Sequence, residues 1–161
     1  MHKILELYNS INQYGTLNDL DLEVVSPGHI KYKMPVKQKH LATPIAIHGG
    51  VLSAMMDAVL GVAALSASCQ DGKLVSTVEF KINYLAPARL GDVLIGEGKV
   101  IQKGNRLIIS EGNITLDKTD KIIAKGMGTF SAYPIQKSGI LDHLSDQQKK
   151  ILGKEYFPEL D

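Results

Sequence analysis

The chain has 161 residues, of which 44% are hydrophobic and 22% charged, and its formal net charge is +1. These values are typical of one globular domain, and the balanced charge argues against nucleic acid or a membrane surface as the partner. Cys69 is the only cysteine in the sequence, which excludes an intramolecular disulfide and a multi-cysteine metal site. The first fifteen residues contain no uninterrupted apolar stretch, so we expect no signal peptide and a cytoplasmic protein.

The first part of the chain is predicted to form a short amphipathic helix followed by two strands. The apolar residues of the helix recur at helical spacing: Ile4, Leu5, Leu7, Tyr8 and Ile11. Gly15 is the expected end of this helix. Strands are predicted at 20–26 and 29–34, joined by the turn pair Pro27-Gly28. Residues 35–47 show no clear period and are expected to form a loop.

Residues 51–67 read VLSAMMDAVLGVAALSA, and Asp57 is the only ionisable residue among them. A membrane span needs about 20 apolar residues and would strongly disfavour a central carboxylate. This run is therefore predicted to be a helix inside a globular fold rather than a membrane span. Because it is apolar on nearly every side, it needs burial all round.

The second half of the chain is predicted to form strands. Residues 76–85 alternate, with Val78, Phe80, Ile82 and Tyr84 expected on one face and Thr77 on the opposite, polar face. Three more strands are predicted at 93–102, 106–116 and 121–133, and the four together would form an antiparallel meander. Residues 145–148 read SDQQ, a capping-box pattern that predicts a short helix near the C-terminus. The predicted fold class is α+β, a single domain over 1–161 in which a curved antiparallel sheet wraps one long helix.

The tetrad His48-Gly49-Gly50-Val51, with Asp57 nine residues after the histidine, marks the candidate site. Burying an unpaired carboxylate costs several kcal/mol, so one is rarely kept in an apolar helix without a use. Glycines at the start of a helix leave backbone N–H groups that attract negative charge. Ser53 and Gly61 would share the helix face of Asp57, which leaves space beside the carboxylate.

These residues, together with Asn83-Tyr84-Leu85-Ala86-Pro87-Ala88 and Gly91-Asp92, resemble the hotdog-fold acyl-CoA thioesterases. The likeness is to the phenylacetate-pathway and para-hydroxybenzoyl-CoA type, and it covers about residues 20–133. The resemblance implies hydrolysis of an acyl-CoA thioester without metal or organic cofactor. It also implies a homodimer, or a tetramer of two such dimers, with a pair of active sites at the subunit interface.

By the same resemblance, Asp57 matches the catalytic carboxylate, acting as general base on water or as nucleophile, and the N–H of Gly49 would polarise the thioester carbonyl. Thr77 matches a hydroxyl residue that helps to place the water and is contributed by the partner subunit. Several relatives carry an asparagine where this chain has Ala42. Thr43 or His40 would compensate, or the substrate contact is absent.

Other roles remain open on the sequence alone. His48 would either orient the loop or touch the substrate, and the glycine pair would either form an oxyanion hole or serve a tight turn. Four cations are either contacts for the phosphates of coenzyme A or solvated surface charges: Arg89, Lys103, Arg106 and Lys125. We expect Gly50, Thr43, Ser53, Arg89 and Arg106 to bind the substrate. The alternatives to hydrolysis are a non-catalytic acyl-CoA binder or regulator and a hydratase or dehydratase on the same scaffold.

Overall fold

The computed structural model describes residues 1–160. Its helices are α1 (Lys3–Ile11), α2 (Gln13–Leu17), α3 (Gly49–Ser68) and α4 (Asp146–Leu152). Its strands are β1 (Asp21–Ser26), β2 (His29–Pro35), β3 (Leu41–Thr43), β4 (Ala46–Ile47), β5 (Lys73–Tyr84), β6 (Val93–Lys103), β7 (Leu107–Leu116) and β8 (Ile122–Pro134). Every predicted helix and strand is therefore present. The segment expected to be a loop also contains the small β3–β4 hairpin.

The main sheet of the described residues is antiparallel and has the order β1-β2-β6-β7-β8-β5. The prediction that β5 begins a meander is wrong, because β5 pairs with β8 and not with β6. After α3 the chain enters the far edge of the sheet, and β6 then returns to pair with β2. The edge position of β5 leaves one side of its backbone without a neighbouring strand.

The helix α3 lies across the inner face of this sheet, in the hotdog arrangement that the sequence predicted. Its side chains Met55, Met56 and Leu60 are buried on the side that faces the sheet. The helix approaches β6 so closely that a Cβ atom added at Gly98 would lie 2.4 Å from the backbone oxygen of Val59, so only glycine fits there. The segment is long and apolar enough to cross a membrane by composition alone, but most of it is packed inside the protein.

The expectation that α3 is buried on every side is wrong within one chain. A face of small residues around the carboxylate stays only half-buried, and it consists of Ser53, Ala54, Asp57, Ala58 and Gly61. The sheet covers the opposite side of the helix, and α1 covers only part of the remainder. This face is where the candidate site lies.

A β-bulge in β5 changes which residues face the helix. The pairing with β8 runs from Thr77 opposite Phe130 to Glu79 opposite Thr129, which leaves Val78 as the extra residue. Directly paired residues share a face, so Thr77 lies on the inner face with the buried Phe130. The sequence predicted Thr77 on the polar face and Val78 on the apolar face. Both predictions are wrong, since Thr77 is on the inner face and Val78 is 58% exposed.

The two terminal segments join the same hydrophobic core. Ile4 and Leu7 of α1 are fully buried, and the Lys3 ammonium donates a hydrogen bond to the backbone oxygen of Leu152 in α4 over 3.4 Å. The predicted capping box is confirmed, because the Ser145 hydroxyl and the Gln148 amide side chain each bind the other's backbone N–H. α4 therefore packs on α1, and α1 lines the same cleft as α3 beside the candidate site.

Candidate active site

The site begins at the N-terminus of α3, where His48 is the capping residue. Its Nδ1 accepts the Gly50 N–H over 2.8 Å, and its own backbone N–H donates to the carbonyl oxygen of His40 over 2.8 Å. Because Nδ1 is an acceptor here, the proton of the neutral ring lies on Nε2. Of the alternatives for His48, the structure supports the orienting role.

The two glycines after His48 are not equivalent. The Gly50 N–H is already bound by the cap, whereas the Gly49 N–H has no hydrogen-bond acceptor within residues 1–160. A free N–H group at the positive end of a helix is a donor for an oxyanion. The geometry therefore favours Gly49, and not Gly50, as the residue that offers a backbone donor.

Tyr84, at the end of β5, lies beside this helix start and was missed as a site residue in the sequence analysis. A Cβ atom on Gly49 would lie 3.8 Å from the Tyr84 ring, and the Tyr84 hydroxyl is hydrogen-bonded to Ser53 Oγ. The Ser53 hydroxyl, which we expected to bind substrate, is thus engaged with Tyr84. The signal for Tyr84 was its place in the segment NYLAPA that carries the resemblance.

The carboxylate of Asp57 lies two turns further along α3. Thr77 Oγ1 donates a hydrogen bond to Asp57 Oδ1 over 2.8 Å, and Oδ2 accepts none from the rest of residues 1–160. We expected the threonine to come from a partner subunit, but Thr77 reaches the carboxylate of its own chain. One carboxylate oxygen is fixed in this way, and the other remains available to a water molecule or a substrate.

Two clefts meet at Asp57. The larger, of about 330 Å³, runs between α1 and β5 and is mostly apolar. The smaller, of about 290 Å³, is lined by Asn12 and Tyr14 on the other side of the carboxylate. Tyr8 and Ala58 border both clefts. The carboxylate is therefore accessible rather than sealed in the core.

Tyr8 was also missed as a neighbour of the site, because the sequence alone does not place α1 on α3. Its burial, together with the carboxylate of Asp57, raises the pKa of Tyr8 above its ordinary value. The Tyr8 hydroxyl accepts a hydrogen bond from the Asn12 side-chain amide over 3.3 Å. A neutral hydroxyl thus lies beside the candidate carboxylate.

The structure does not bring the remaining candidates together within one chain. Thr43 is exposed, and its hydroxyl accepts the Ile45 N–H within the β3–β4 turn, while Ala42 beside it is also exposed. His40 is buried, and its Nδ1 accepts the Lys37 N–H over 3.1 Å, so its ring does not replace the family asparagine on an open surface.

Arg89 and Arg106 are exposed at opposite ends of β6. With about 3.3 Å per residue, the length of β6 separates them by roughly 35 Å in one chain. Lys103 is paired with Asp71 over 2.8 Å, and Lys125 is exposed on β8. The two arginines of one protomer therefore lie at separate places in the fold.

A long helix laid across an antiparallel sheet, with a free N–H group at its start and a carboxylate on its open face, defines a hotdog-fold protein with a candidate active site. Residues 46–123 match the family model described as the thioesterase superfamily. A Saccharolobus solfataricus protein that carries the name of an esterase is 30% identical over 127 residues. These residues cover 79% of this chain and 88% of that protein. The chain belongs to the thioesterase superfamily.

One further relative agrees with this membership, and one solved structure agrees with the fold. Human acyl-coenzyme A thioesterase 13 is 27% identical over 113 residues, which cover 70% of this chain and 79% of the human protein. The structure of the E. coli PaaI protein from the phenylacetic acid degradation operon has a TM-score of 0.73 and 20% identity, covering 82% of this chain and 94% of that one. The resemblance stated from the sequence, the hotdog fold and the assignment to the thioesterases are thus confirmed.

Proposed function

We propose that this protein hydrolyses an acyl-CoA thioester to the free acid and coenzyme A, with Asp57 as general base or nucleophile. The observation that carries the proposal is the accessible carboxylate of Asp57, held through Oδ1 by Thr77 in an apolar helix. The name of the human relative adds support for acyl-CoA as the substrate. The reaction uses the chain's own residues, without metal or organic cofactor, and we place the protein in the cytoplasm.

As general base, Asp57 takes a proton from a water molecule while the water oxygen attacks the thioester carbonyl carbon. The carbonyl oxygen becomes an oxyanion, and the free N–H of Gly49 at the start of α3 stabilises it. The C–S bond then breaks, and the thiolate of coenzyme A leaves and takes up a proton. As nucleophile, the Asp57 carboxylate would attack the carbonyl carbon and expel the thiolate of coenzyme A, which leaves a mixed anhydride. Water would then hydrolyse this anhydride to the free acid and the Asp57 carboxylate.

One protomer cannot hold both groups against the same carbonyl. Gly49 and Asp57 are eight residues apart on α3, which is about 12 Å along the helix axis, whereas reacting atoms must approach to about 3 Å. A second copy lying antiparallel along α3 would solve this problem. Ser53 is midway between Gly49 and Asp57, so a twofold axis near Ser53 would place Gly49 beside Asp57 of the partner subunit.

We therefore propose a homodimer with two shared sites, either alone or as half of a tetramer. The unpaired edge of β5, its exposed Val78 and the half-buried small-residue face of α3 all support a surface made for a second copy. Arg89 lies near the helix start, because the backbone oxygen of Ala88 accepts the Ile47 N–H. We propose that Arg89 binds the phosphates of coenzyme A.

Within one chain, Arg106 lies on the side of Asp57 and Thr77, away from the start of α3. Its backbone oxygen accepts the Ala132 N–H, and Ala132 pairs with Val75, two residues before Thr77. A shared site would thus bring Arg106 of one protomer and Arg89 of the partner subunit toward one substrate. We propose the same phosphate-binding role for Arg106.

The direct test is Asp57→Asn, which keeps the shape of the side chain and removes the base. A positioned general base contributes about 10²- to 10⁴-fold in rate, so kcat/KM on a panel of acyl-CoA esters should fall by at least about 100-fold. The matched control is Asp117→Asn, at a surface carboxylate that pairs with Lys33. If folded D57N hydrolyses the panel as fast as the parent, the proposed chemistry is wrong.

A further inference from the structure

We propose that the two terminal segments form the outer wall of an acyl pocket and limit the length of the acyl chain. The chain that fits is uncharged and aliphatic, with roughly eight to ten carbons beyond the thioester. This inference rests on the proposed function, because it takes Asp57 to mark the position of the thioester. It adds the substrate class and the residues that set it.

The observation that carries this inference is the chemistry of the larger cleft at Asp57. On the helix side the cleft is lined by Ala58, Gly61, Val62 and Leu65, and on the sheet side by Leu74, Val75 and Phe130. Asp57 is the only charged residue in the lining formed by residues 1–160. A pocket with no cation and with a carboxylate at its mouth disfavours an acyl group that carries its own carboxylate.

The outer wall of the cleft comes from outside the region that matches the family model. α1 contributes Ile4, Leu7, Tyr8 and Ile11, and the segment before α4 contributes Ile140. Ile4 and Leu7 are fully buried, and the hydrogen bond from Lys3 to Leu152 ties α1 to α4. The wall is thus a packed part of the molecule. It belongs to this chain's own terminal sequences, which flank the matched residues 46–123 on both sides.

The dimensions of the cleft set the expected chain length. From Asp57 to Leu65 the cleft follows α3 for eight residues, about 12 Å. An extended alkyl chain with C–C bonds of about 1.5 Å covers that distance with roughly eight to ten carbons. Gly61 keeps the floor clear, because a Cβ atom there would lie 3.2 Å from the Phe130 ring.

Binding of non-hydrolysable S-alkyl-CoA thioethers, from S-ethyl to S-hexadecyl, tests the inference without needing hydrolysis. Calorimetry on the full-length protein should show affinity rising about fourfold per methylene and then levelling at about eight to ten carbons. S-octyl-CoA should bind more tightly than S-(7-carboxyheptyl)-CoA, which ends in a carboxylate. A phenylethyl thioether bound more tightly than S-octyl-CoA would overturn the assignment to aliphatic chains.

Two variants of opposite effect locate the pocket. Val75→Phe fills the sheet side and should make the affinity level at a chain several carbons shorter; its control is Val25→Phe, at an exposed position on β1. Ile140→Ala opens the outer wall and should move the levelling point to longer chains; its control is Ile122→Ala, which lines another surface. Since I140A removes side-chain volume only, it remains informative if V75F fails to fold.

The outcomes separate this inference from the proposed function. Affinity that does not depend on chain length, or a levelling point that neither V75F nor I140A moves, would overturn the acyl pocket even if the parent hydrolyses acyl-CoA. Length-dependent binding that both variants shift, with no turnover of any acyl-CoA by the parent, would support the pocket and overturn the hydrolysis.

Discussion

Thr77 and Asp57 join the edge strand β5 to the middle of α3 through a hydrogen bond of 2.8 Å. The bulge at Val78 makes this contact possible, because it turns Thr77 toward the helix while Phe80 keeps its place on the same inner face. A donor that fixes one carboxylate oxygen orients the other one. The edge strand β5 thus contributes a residue, Thr77, to the candidate catalytic site.

The role of Thr77 predicts different effects for two substitutions. Thr77→Val removes the hydroxyl at nearly constant volume, and Thr77→Ser keeps it. A hydrogen bond to a charged group contributes about 1.5–3 kcal/mol, so T77V should lower kcat/KM by about 10- to 100-fold, whereas T77S should retain most of the activity. Steady-state kinetics with matched thermal unfolding curves measure both, and equal loss in the two variants would contradict the role of the hydroxyl.

The free N–H of Gly49 can be removed without changing the helix. Gly49 is the first residue of α3, where proline is tolerated, and His48 before it has φ −71° and ψ 134°, a conformation allowed before proline. Gly49→Pro should lower kcat by about 100- to 1000-fold, the usual cost of an oxyanion-hole donor. Gly49→Ala is the control, since its Cβ would only touch the Tyr84 ring at 3.8 Å and its N–H remains. Similar activity in G49P and G49A would exclude the proposed donor.

Mixed dimers test whether each site is shared between two copies. A dimer of one D57N and one G49P protomer contains one site with both defects and one site with neither. With random exchange, half of the dimers are mixed, so about one quarter of the parental activity should return. The measurement is activity after co-refolding the two inactive variants, with each variant refolded alone as the control. No recovery, despite mixed dimers seen by native mass spectrometry, would mean that the two groups do not act across an interface.

His40 predicts a loss of stability in mild acid. Burial, with a further contribution from Lys39, lowers the pKa of His40 below its ordinary value of 6.5. As the pH falls through 6.5, the unfolded chain takes up a proton that the folded protein refuses, so the free energy of unfolding decreases. Urea unfolding between pH 7.5 and 5 should show a smaller decrease for His40→Gln than for the parent. His143→Gln, at an exposed histidine, is the control and should follow the parent.

The positions of the helices and strands could be predicted well from the sequence, because the patterns that indicate them are local. The bounds predicted for β1, β2, β6, β7 and β8 agree with the structure to within about one residue at each end. The order of the strands was wrong, since alternation shows that β5 is a strand and does not show which strand it pairs with. The bulge at Val78 was equally hidden, because the extra residue is defined by the partner strand.

For the candidate site, the sequence determined the residue types and their spacing. The order of residues alone shows Asp57 in an apolar segment after His48 and the glycine pair. The resemblance rests on that same order. Only the tertiary structure decided which glycine N–H is free, that Thr77 binds Asp57 of its own chain, and that α1 and Ile140 line the cleft. Those features depend on contacts between segments far apart in sequence, whose energies no local pattern records.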